Sequence, residues 1–235
     1  SVREVPLDAE MRHDLVAMRV AVSPATRLVY VCNPNNPTGT MVSGSELREF
    51  LATLPPATTA LVDEAYLELA SDMGRHSMVD RVRAGDNLIV ARTFSKLHGL
   101  AGLRIGYALA RPDLIERMAK LKLVAVSSLG LAAASASYTD QGFQAASREH
   151  LAAGVAITTA VLDELKRPYA PTRANFVFFD TGQPAAVFLA AMRERGFALG
   201  RPFPQYPNWC RVSMGTVEQM RLFADALRAA FVHNE

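Results

Sequence analysis

The sequence predicts an α/β fold in which helices sandwich a mostly parallel sheet, followed by a small α+β unit. Three short apolar runs are typical of buried strands: RLVYV before an Asn/Pro cluster, TALV before Asp63, and NLIVA shortly before Lys96. Spacers of roughly 20 to 25 residues separate the runs, which favours strand, crossover helix, strand units over hairpins. Because ligands bind outside the carboxyl ends of parallel strands, the polar residues after the three runs predict one shared site.

Further elements of the first unit follow in chain order. Residues 1–8 predict a strand and a turn, and GSELREFLATL (44–54) predicts an amphipathic helix with Ser45 as its N-cap. The run RIGYALA (104–110) predicts another strand. The segment after it predicts a helix, because Pro112 is favourable in a first helical turn.

The pattern changes near residue 141 and predicts a second, smaller unit. It opens with one long, Ala-rich helix that ends before Pro168. The later predicted elements are a strand at 175–180, a helix at 184–196, short strands at 197–200 and 211–215, and a final helix at 216–231. We therefore place a domain boundary that divides the chain into a large domain, 1–143, and a small α+β domain, 144–235.

Composition excludes several classes of protein. Half of the 235 residues are apolar. The 25 basic and 23 acidic residues give a net charge of +2 and form no basic stripe. This charge distribution argues against nucleic acid or a membrane as partner. The longest low-charge segment, 123–138, is short and rich in Ser and Gly, so we expect a loop entering a small-residue helix. Cys32 and Cys210 give no disulfide framework, and no signal-peptide pattern opens the sequence, so we expect a cytoplasmic protein.

Lys96 is the central candidate for chemistry. A lone lysine is usually a solvated surface charge, but this one follows a buried strand and precedes a glycine-rich turn. A partly desolvated lysine has a lowered pKa and acts as a nucleophilic amine, as a Schiff base requires. Arg104, together with the hydroxyls of Thr93 and Ser95, predicts a phosphate cradle beside it.

Asp63 and the Asn/Pro cluster stand at the ends of the other two strands. Asp63 is either a capping or salt-bridged carboxylate, or the group that keeps a pyridine nitrogen protonated, with Tyr66 reaching the same ring. The cluster NPNNPTG predicts a turn, one cis Asn-Pro bond and a site role for Asn36. His98 and Cys32 are interpreted as packing residues.

Four motifs in this order carry a family resemblance: NPNNPTG, DEAY, TFSKLHGLAGLRIGY and RVSMGT. Together they resemble the pyridoxal-phosphate-dependent class I/II aminotransferases of fold type I, and within them the branch that contains histidinol-phosphate aminotransferase. The resemblance covers essentially the whole chain. It implies a transaminase that uses pyridoxal 5'-phosphate, acts on an amino acid and a 2-oxo acid, and forms a homodimer.

The resemblance also implies residue roles. Lys96 forms the Schiff base with the cofactor and moves the proton, Asp63 pairs with the ring nitrogen, and Tyr66 bonds the phenolic oxygen together with Asn36. The implied cofactor-binding residues are Asn36, Asp63, Tyr66, Thr93, Ser95, Lys96 and Arg104. Arg211 would take the substrate α-carboxylate, since a planar bidentate fork suits a carboxylate. Arg201, in GRPF, would take the distal group.

Two departures from the family pattern bear on the substrate and on completeness. LVAVS (123–127) stands where a PFNVS-like stretch is usual, so a polar substrate-side residue is missing. We also expect the chain to be a piece of a longer protein, because the family's first third has no counterpart here. That third normally supplies a ring-stacking aromatic, a phosphate loop and contacts with the partner subunit.

Two other functions remain open at this point. One is a decarboxylase of a phosphorylated amino acid, which shares cofactor and architecture. The other is a non-catalytic sensing domain of aminotransferase-like fold, attached to a DNA-binding segment elsewhere. The motifs alone do not separate them.

Overall fold

The computed structural model describes residues 1–121 and 125–232. Within these ranges the first sheet has the strand order β1 (Leu28–Cys32), β2 (Thr59–Asp63), β3 (Leu88–Thr93) and β4 (Gly106–Ala110). The first three strands are parallel, and β4 is antiparallel to β3. The predicted mostly parallel sheet is therefore confirmed.

The register of the sheet places the ends of three strands in one row. Cys32 on β1 pairs with Asp63 on β2, and Asp63 pairs with Ala91 on β3. Side chains alternate between the two faces of a strand, so Val62 packs into the core on one face while Asp63 projects from the other. The core face is covered by α1 (Leu15–Ala21), α2 (Gly44–Ala52) and α4 (Val79–Arg83).

The N-cap of α2 differs from the sequence-based prediction. Ser43, rather than Ser45, caps the helix: its hydroxyl accepts from the Glu46 N–H at 3.2 Å, and the Glu46 carboxylate accepts from the Ser43 N–H at 2.7 Å. This reciprocal pair is a capping box, which satisfies two backbone donors at once. The predicted N-cap, Ser45, is therefore wrong by two positions.

We expect Ser43→Ala to lower the free energy of unfolding by about 1 kcal/mol, because the Glu46 N–H loses its acceptor. Ser45→Ala, at an exposed neighbouring position, is the matched control and should change it by less than about 0.5 kcal/mol. Urea unfolding of the two variants measures both values. Equal losses would show that the capping box does not stabilise the helix.

Other sequence-based predictions also need correction. Residues 1–8 form no strand and make one isolated bridge, Leu7 with His13. Residues 197–200 are irregular as well, and the strand predicted at 211–215 begins two residues earlier, as β6 (Trp209–Ser213). The sequence analysis also missed α1 and the short helix α3 (Met73–His76), which has only one turn.

The second unit packs helices on a two-stranded antiparallel sheet. β5 (Phe176–Asp180) pairs with β6 (Trp209–Ser213). The helices of this unit are α7 (Gln141–Glu164), α8 (Ala185–Glu194) and α9 (Val217–Val232). Two further helices, α5 (Pro112–Lys120) and α6 (Ser128–Thr139), precede this unit in the chain. Buried Val177, Phe179 and Phe188 belong to the core that this unit shares with α7 and α9.

The domain division at 143/144 stays a prediction. It falls in the first turn of α7, which runs on into the small unit. Near its start α7 touches the first unit: Ser147 Oγ donates to the Leu97 carbonyl at 3.1 Å, and Arg148 Nε donates to the Glu68 carbonyl at 2.9 Å. This helix therefore contacts the loop that carries Lys96.

No helix among the described residues has the length and apolar character needed to cross a membrane. No group of three or more His, Cys, Asp or Glu side chains among them is placed to hold a metal ion.

Candidate active site

Lys96 lies just beyond β3, with its amine near the ring of Tyr66. Its Nζ lies 5.1 Å from the centre of the Tyr66 ring, and within residues 1–121 and 125–232 it forms no hydrogen bond or salt bridge. Burial lowers the pKa of Lys96, and the positive charges of Arg211 and Arg104 lower it further, while Asp63 opposes the shift. Both effects favour the neutral, nucleophilic form of the amine.

Asp63 is held from two sides at the end of β2. Its Oδ1 accepts from the backbone N–H of Ala65 at 3.0 Å, and its Oδ2 accepts from the hydroxyl of Tyr30, on β1, at 3.0 Å. The carboxylate is only partly buried and forms no salt bridge with any described residue. The salt-bridge alternative raised by the sequence is therefore wrong for the part of the chain that the structure describes.

The Asn/Pro loop presents Asn36 toward the small unit. Both Asn-Pro bonds, at Asn33 and at Asn36, are cis, where the sequence predicted one. The Asn33 side chain is buried and exchanges two hydrogen bonds of 3.0 Å with the backbone of Val42, which leaves Asn36 exposed at the tip. At the end of the loop Gly39 has φ +77°, and a Cβ there would lie 2.2 Å from Oγ1 of Thr172, so only glycine allows this approach.

Arg211, on β6, reaches the first unit from the small one. Its Nη1 donates to Oδ1 of Asn36, and its guanidinium carbon lies 4.9 Å from the centre of the Phe176 ring. Its Nε is buried and has no hydrogen-bond partner among the described residues. Arg201 is exposed, yet its guanidinium and that of Arg211 each lie 5.7 Å from the centre of the Phe203 ring. The structure thus brings the two predicted arginines to one aromatic side chain.

The residues predicted to cradle a phosphate lie at the end of β3 and in the segment between β3 and β4. Thr93 Oγ1 accepts from the Ser95 N–H at 3.1 Å and donates to the Ile105 carbonyl at 3.4 Å. Arg104 has a left-handed backbone, φ 53°, and its exposed guanidinium donates to the Ala101 carbonyl at 3.0 Å. The positive charge of Arg104 is one of the causes that lower the pKa of Lys96.

His98 and Cys32 have the surroundings of packing residues. His98 is buried against Phe94, and its Nδ1 lies 2.8 Å from Oγ of Ser137. Burial lowers the pKa of His98. Cys32 Sγ donates to the Pro34 carbonyl at 3.2 Å, and burial, followed by the charge of Asp63, raises the pKa of Cys32 to about 11. Neither group is therefore charged near neutral pH.

The sequence analysis missed a buried ion pair beneath the site. Glu64, the residue after Asp63, accepts from Arg92 Nη2 at 2.8 Å and from the Met78 N–H at 2.7 Å. It also missed the contribution of Tyr30 to Asp63. The spacing of these residues along the chain is only a weak indication of either contact. Each contact links two strands, and the sequence does not show how those strands are aligned. Residues 123 and 124 of LVAVS lie outside the described residues.

The fold and the site together define an α/β protein with a lysine amine, a carboxylate and an arginine gathered at one sheet edge. The family model described as "Aminotransferase class I and II" matches residues 1–227, so the chain belongs to that family. The predicted family and the fold type I architecture are confirmed.

Two curated relatives and one solved structure illustrate the similarity. The chain is 40% identical to "Histidinol-phosphate aminotransferase 2" of Ralstonia nicotianae, and the match covers 99% of this chain and 63% of that protein. It is 42% identical to the protein of the same name from Methylococcus capsulatus, and the match covers 94% of this chain and 60% of that protein. The crystal structure of histidinol-phosphate aminotransferase from Sinorhizobium meliloti in complex with pyridoxal-5'-phosphate superposes with a TM-score of 0.89 at 29% identity, over 100% of this chain and 65% of that one. The chain thus spans less than two thirds of these proteins.

Proposed function

We propose that the complete protein is a pyridoxal-phosphate-dependent aminotransferase, which moves an amino group between an amino acid and a 2-oxo acid. The observation that carries this proposal is the Lys96 amine, which is unpaired among the described residues and has a lowered pKa. Such an amine is suited to attack an aldehyde carbon, as covalent catalysis through a lysine requires.

The donor set fits this cofactor group by group. The Asp63 carboxylate is an acceptor for a protonated ring nitrogen, and Tyr66 with Asn36 supplies hydrogen-bonding groups for the phenolic oxygen. Thr93, Ser95 and Arg104 supply two hydroxyls and a guanidinium for the phosphate, which is the donor chemistry that phosphate prefers. When bound, pyridoxal phosphate supplies an electron sink for negative charge at the substrate's α-carbon.

Arg211 is proposed to bind the carboxylate or phosphate of the substrate. Its Nε has no partner among the described residues, and the Nη1 bond to Asn36 leaves the rest of the planar fork available. A bidentate arginine suits either anion. Arg201, near the same Phe203 ring, is proposed to meet the distal group of the substrate. The names of the relatives suggest histidinol phosphate, or a similar or aromatic amino acid, as the amino donor.

Lys96 is also proposed to move the proton. With substrate bound, the neutral Nζ of Lys96 would take the proton from the α-carbon and hold it for its return. A lowered pKa keeps more of the amine in the form that accepts a proton. Tyr66, whose ring lies 5.1 Å from Nζ, limits where this amine can go.

The test uses the complete natural polypeptide, loaded with pyridoxal phosphate and supplied with histidinol phosphate, or phenylalanine, and 2-oxoglutarate. We expect glutamate to form in step with loss of the amino donor, and no carbon dioxide release. Release of carbon dioxide from a phosphorylated amino acid would favour the decarboxylase instead. Tight binding of cofactor without turnover of any donor would favour the sensing domain.

We also propose, from the family, that the complete protein forms a homodimer. We propose a cytoplasmic location as well, which agrees with both cysteines being free and buried. Sedimentation of the complete polypeptide tests the first.

A further inference from the structure

Tyr30 is a polar side chain of the site face that the proposed function does not use. It lies on β1 two residues before Cys32, so the two side chains project from the same face of the strand. Cys32 is the register partner of Asp63, which makes Tyr30 a diagonal neighbour of the carboxylate. A side chain as long as tyrosine spans that diagonal, and the Tyr30 hydroxyl donates to Asp63 Oδ2 at 3.0 Å.

The two hydrogen bonds on Asp63 come from different directions. The Ala65 N–H fixes Oδ1 from the chain that follows β2, and Tyr30 fixes Oδ2 from the neighbouring strand. Together they define the plane of the carboxylate, which a single bond would leave free to rotate. A carboxylate has about four acceptor positions, so one remains on Oδ2 for a further donor.

We propose that Tyr30 is a positioning residue, which acts through Asp63 by holding its carboxylate in the orientation that receives the cofactor's ring nitrogen. This inference rests on the proposed function, because it needs that nitrogen as the donor. Tyr30 itself is not proposed to touch cofactor or substrate.

The ionisation of Tyr30 supports its role as a permanent donor. Burial raises the pKa of its phenol, and the charge of the Asp63 carboxylate, with the hydrogen bond to it, raises the pKa further. The phenol therefore keeps its proton through the neutral range. Tyr30 is 50% exposed, so close packing in the core does not force its hydroxyl against Asp63.

The first experiment uses the complete polypeptide without cofactor. The 13C resonance of the Tyr30 ζ-carbon, assigned by its loss in Tyr30→Phe, reports the hydrogen bond that this phenol donates. At neutral pH we expect its chemical shift in Asp63→Asn to differ from that of the wild type, because the charged acceptor is removed. Identical chemical shifts in the two proteins would mean that the hydroxyl does not donate to Asp63, and this result would overturn the inference.

The second experiment measures the affinity for pyridoxal phosphate by visible absorbance. Tyr30→Phe is expected to weaken binding by about five-fold, the loss of one partly exposed charge-assisted hydrogen bond. Tyr138→Phe, at an exposed position on α6, is the matched control and should stay within about two-fold of the wild type. In the Asp63→Asn background, Tyr30→Phe should add less than about two-fold.

These outcomes separate the inference from the proposed function. If the wild type binds cofactor and Tyr30→Phe weakens binding equally in both backgrounds, Tyr30 acts by packing and the inference is wrong. If Tyr30→Phe has no effect on binding, the inference is also wrong. If the wild type binds no pyridoxal phosphate, the proposed function itself is wrong, whatever the variants do, and the inference falls with it.

Discussion

Replacement of Lys96 by alanine is expected to abolish covalent attachment of pyridoxal phosphate and to reduce amino transfer beyond detection. Two losses combine in this variant. The nucleophilic amine is absent, and so is the group proposed to move the α-carbon proton, which alone contributes roughly 10²- to 10⁴-fold. No other lysine within residues 1–121 and 125–232 lies at this sheet edge, since Lys120 is in α5 and Lys166 follows α7.

Borohydride reduction followed by peptide mass spectrometry measures the attachment directly. In the wild type the added mass should appear on the peptide that contains Lys96, and the visible absorbance band should shift on reduction. Lys120→Ala, which removes an exposed lysine paired with Glu116, is the matched control and should behave as the wild type. A reducible adduct of unchanged yield in Lys96→Ala would show that another amine holds the cofactor.

The strand ends could be predicted because each part of the pattern is local. A buried parallel strand needs a short apolar run, and β2 and β3 show one immediately before Asp63 and shortly before Lys96. The rule that ligands bind at the carboxyl ends then places both residues at one edge, and the register confirms that β2 and β3 pair there. No contact between distant residues was needed for this inference.

Contacts between residues that are far apart in the chain could not be predicted from the sequence. Arg211 and Asn36 are 175 positions apart, and their hydrogen bond depends on how the small unit packs against the Asn/Pro loop. Tyr30 reaches Asp63 only because β1 pairs with β2 in one particular register, and a shift by one residue would turn it to the other face. The choice between Ser43 and Ser45 failed for a smaller reason: both satisfy the N-cap preference, and only the backbone shows which one precedes the helix.

The buried pair of Arg92 and Glu64 links the two strand ends that carry the site. Glu64 follows Asp63, and Arg92 lies on β3 four positions before Lys96, so the 2.8 Å contact between them fixes the ends of β2 and β3 to each other. The Glu64 carboxylate also accepts from Ser77 Oγ at 3.0 Å and the Met78 N–H at 2.7 Å. The pair is largely covered by protein, with the Glu64 and Arg92 side chains 1% and 11% exposed.

We therefore expect Arg92→Met to lower the free energy of unfolding by about 3 to 5 kcal/mol, because it leaves a buried carboxylate without its counter-ion. Arg228→Met is the matched control: its ion pair with Glu164 has the same 2.8 Å separation, but the two side chains are 42% and 53% exposed. Water already screens that pair, so its loss should lower the free energy of unfolding far less than the loss of the Arg92 pair. Urea unfolding of the cofactor-free protein measures both. Similar losses in the two variants would mean that burial adds nothing to the Arg92 pair, and that the ends of β2 and β3 are held together by the sheet hydrogen bonds alone.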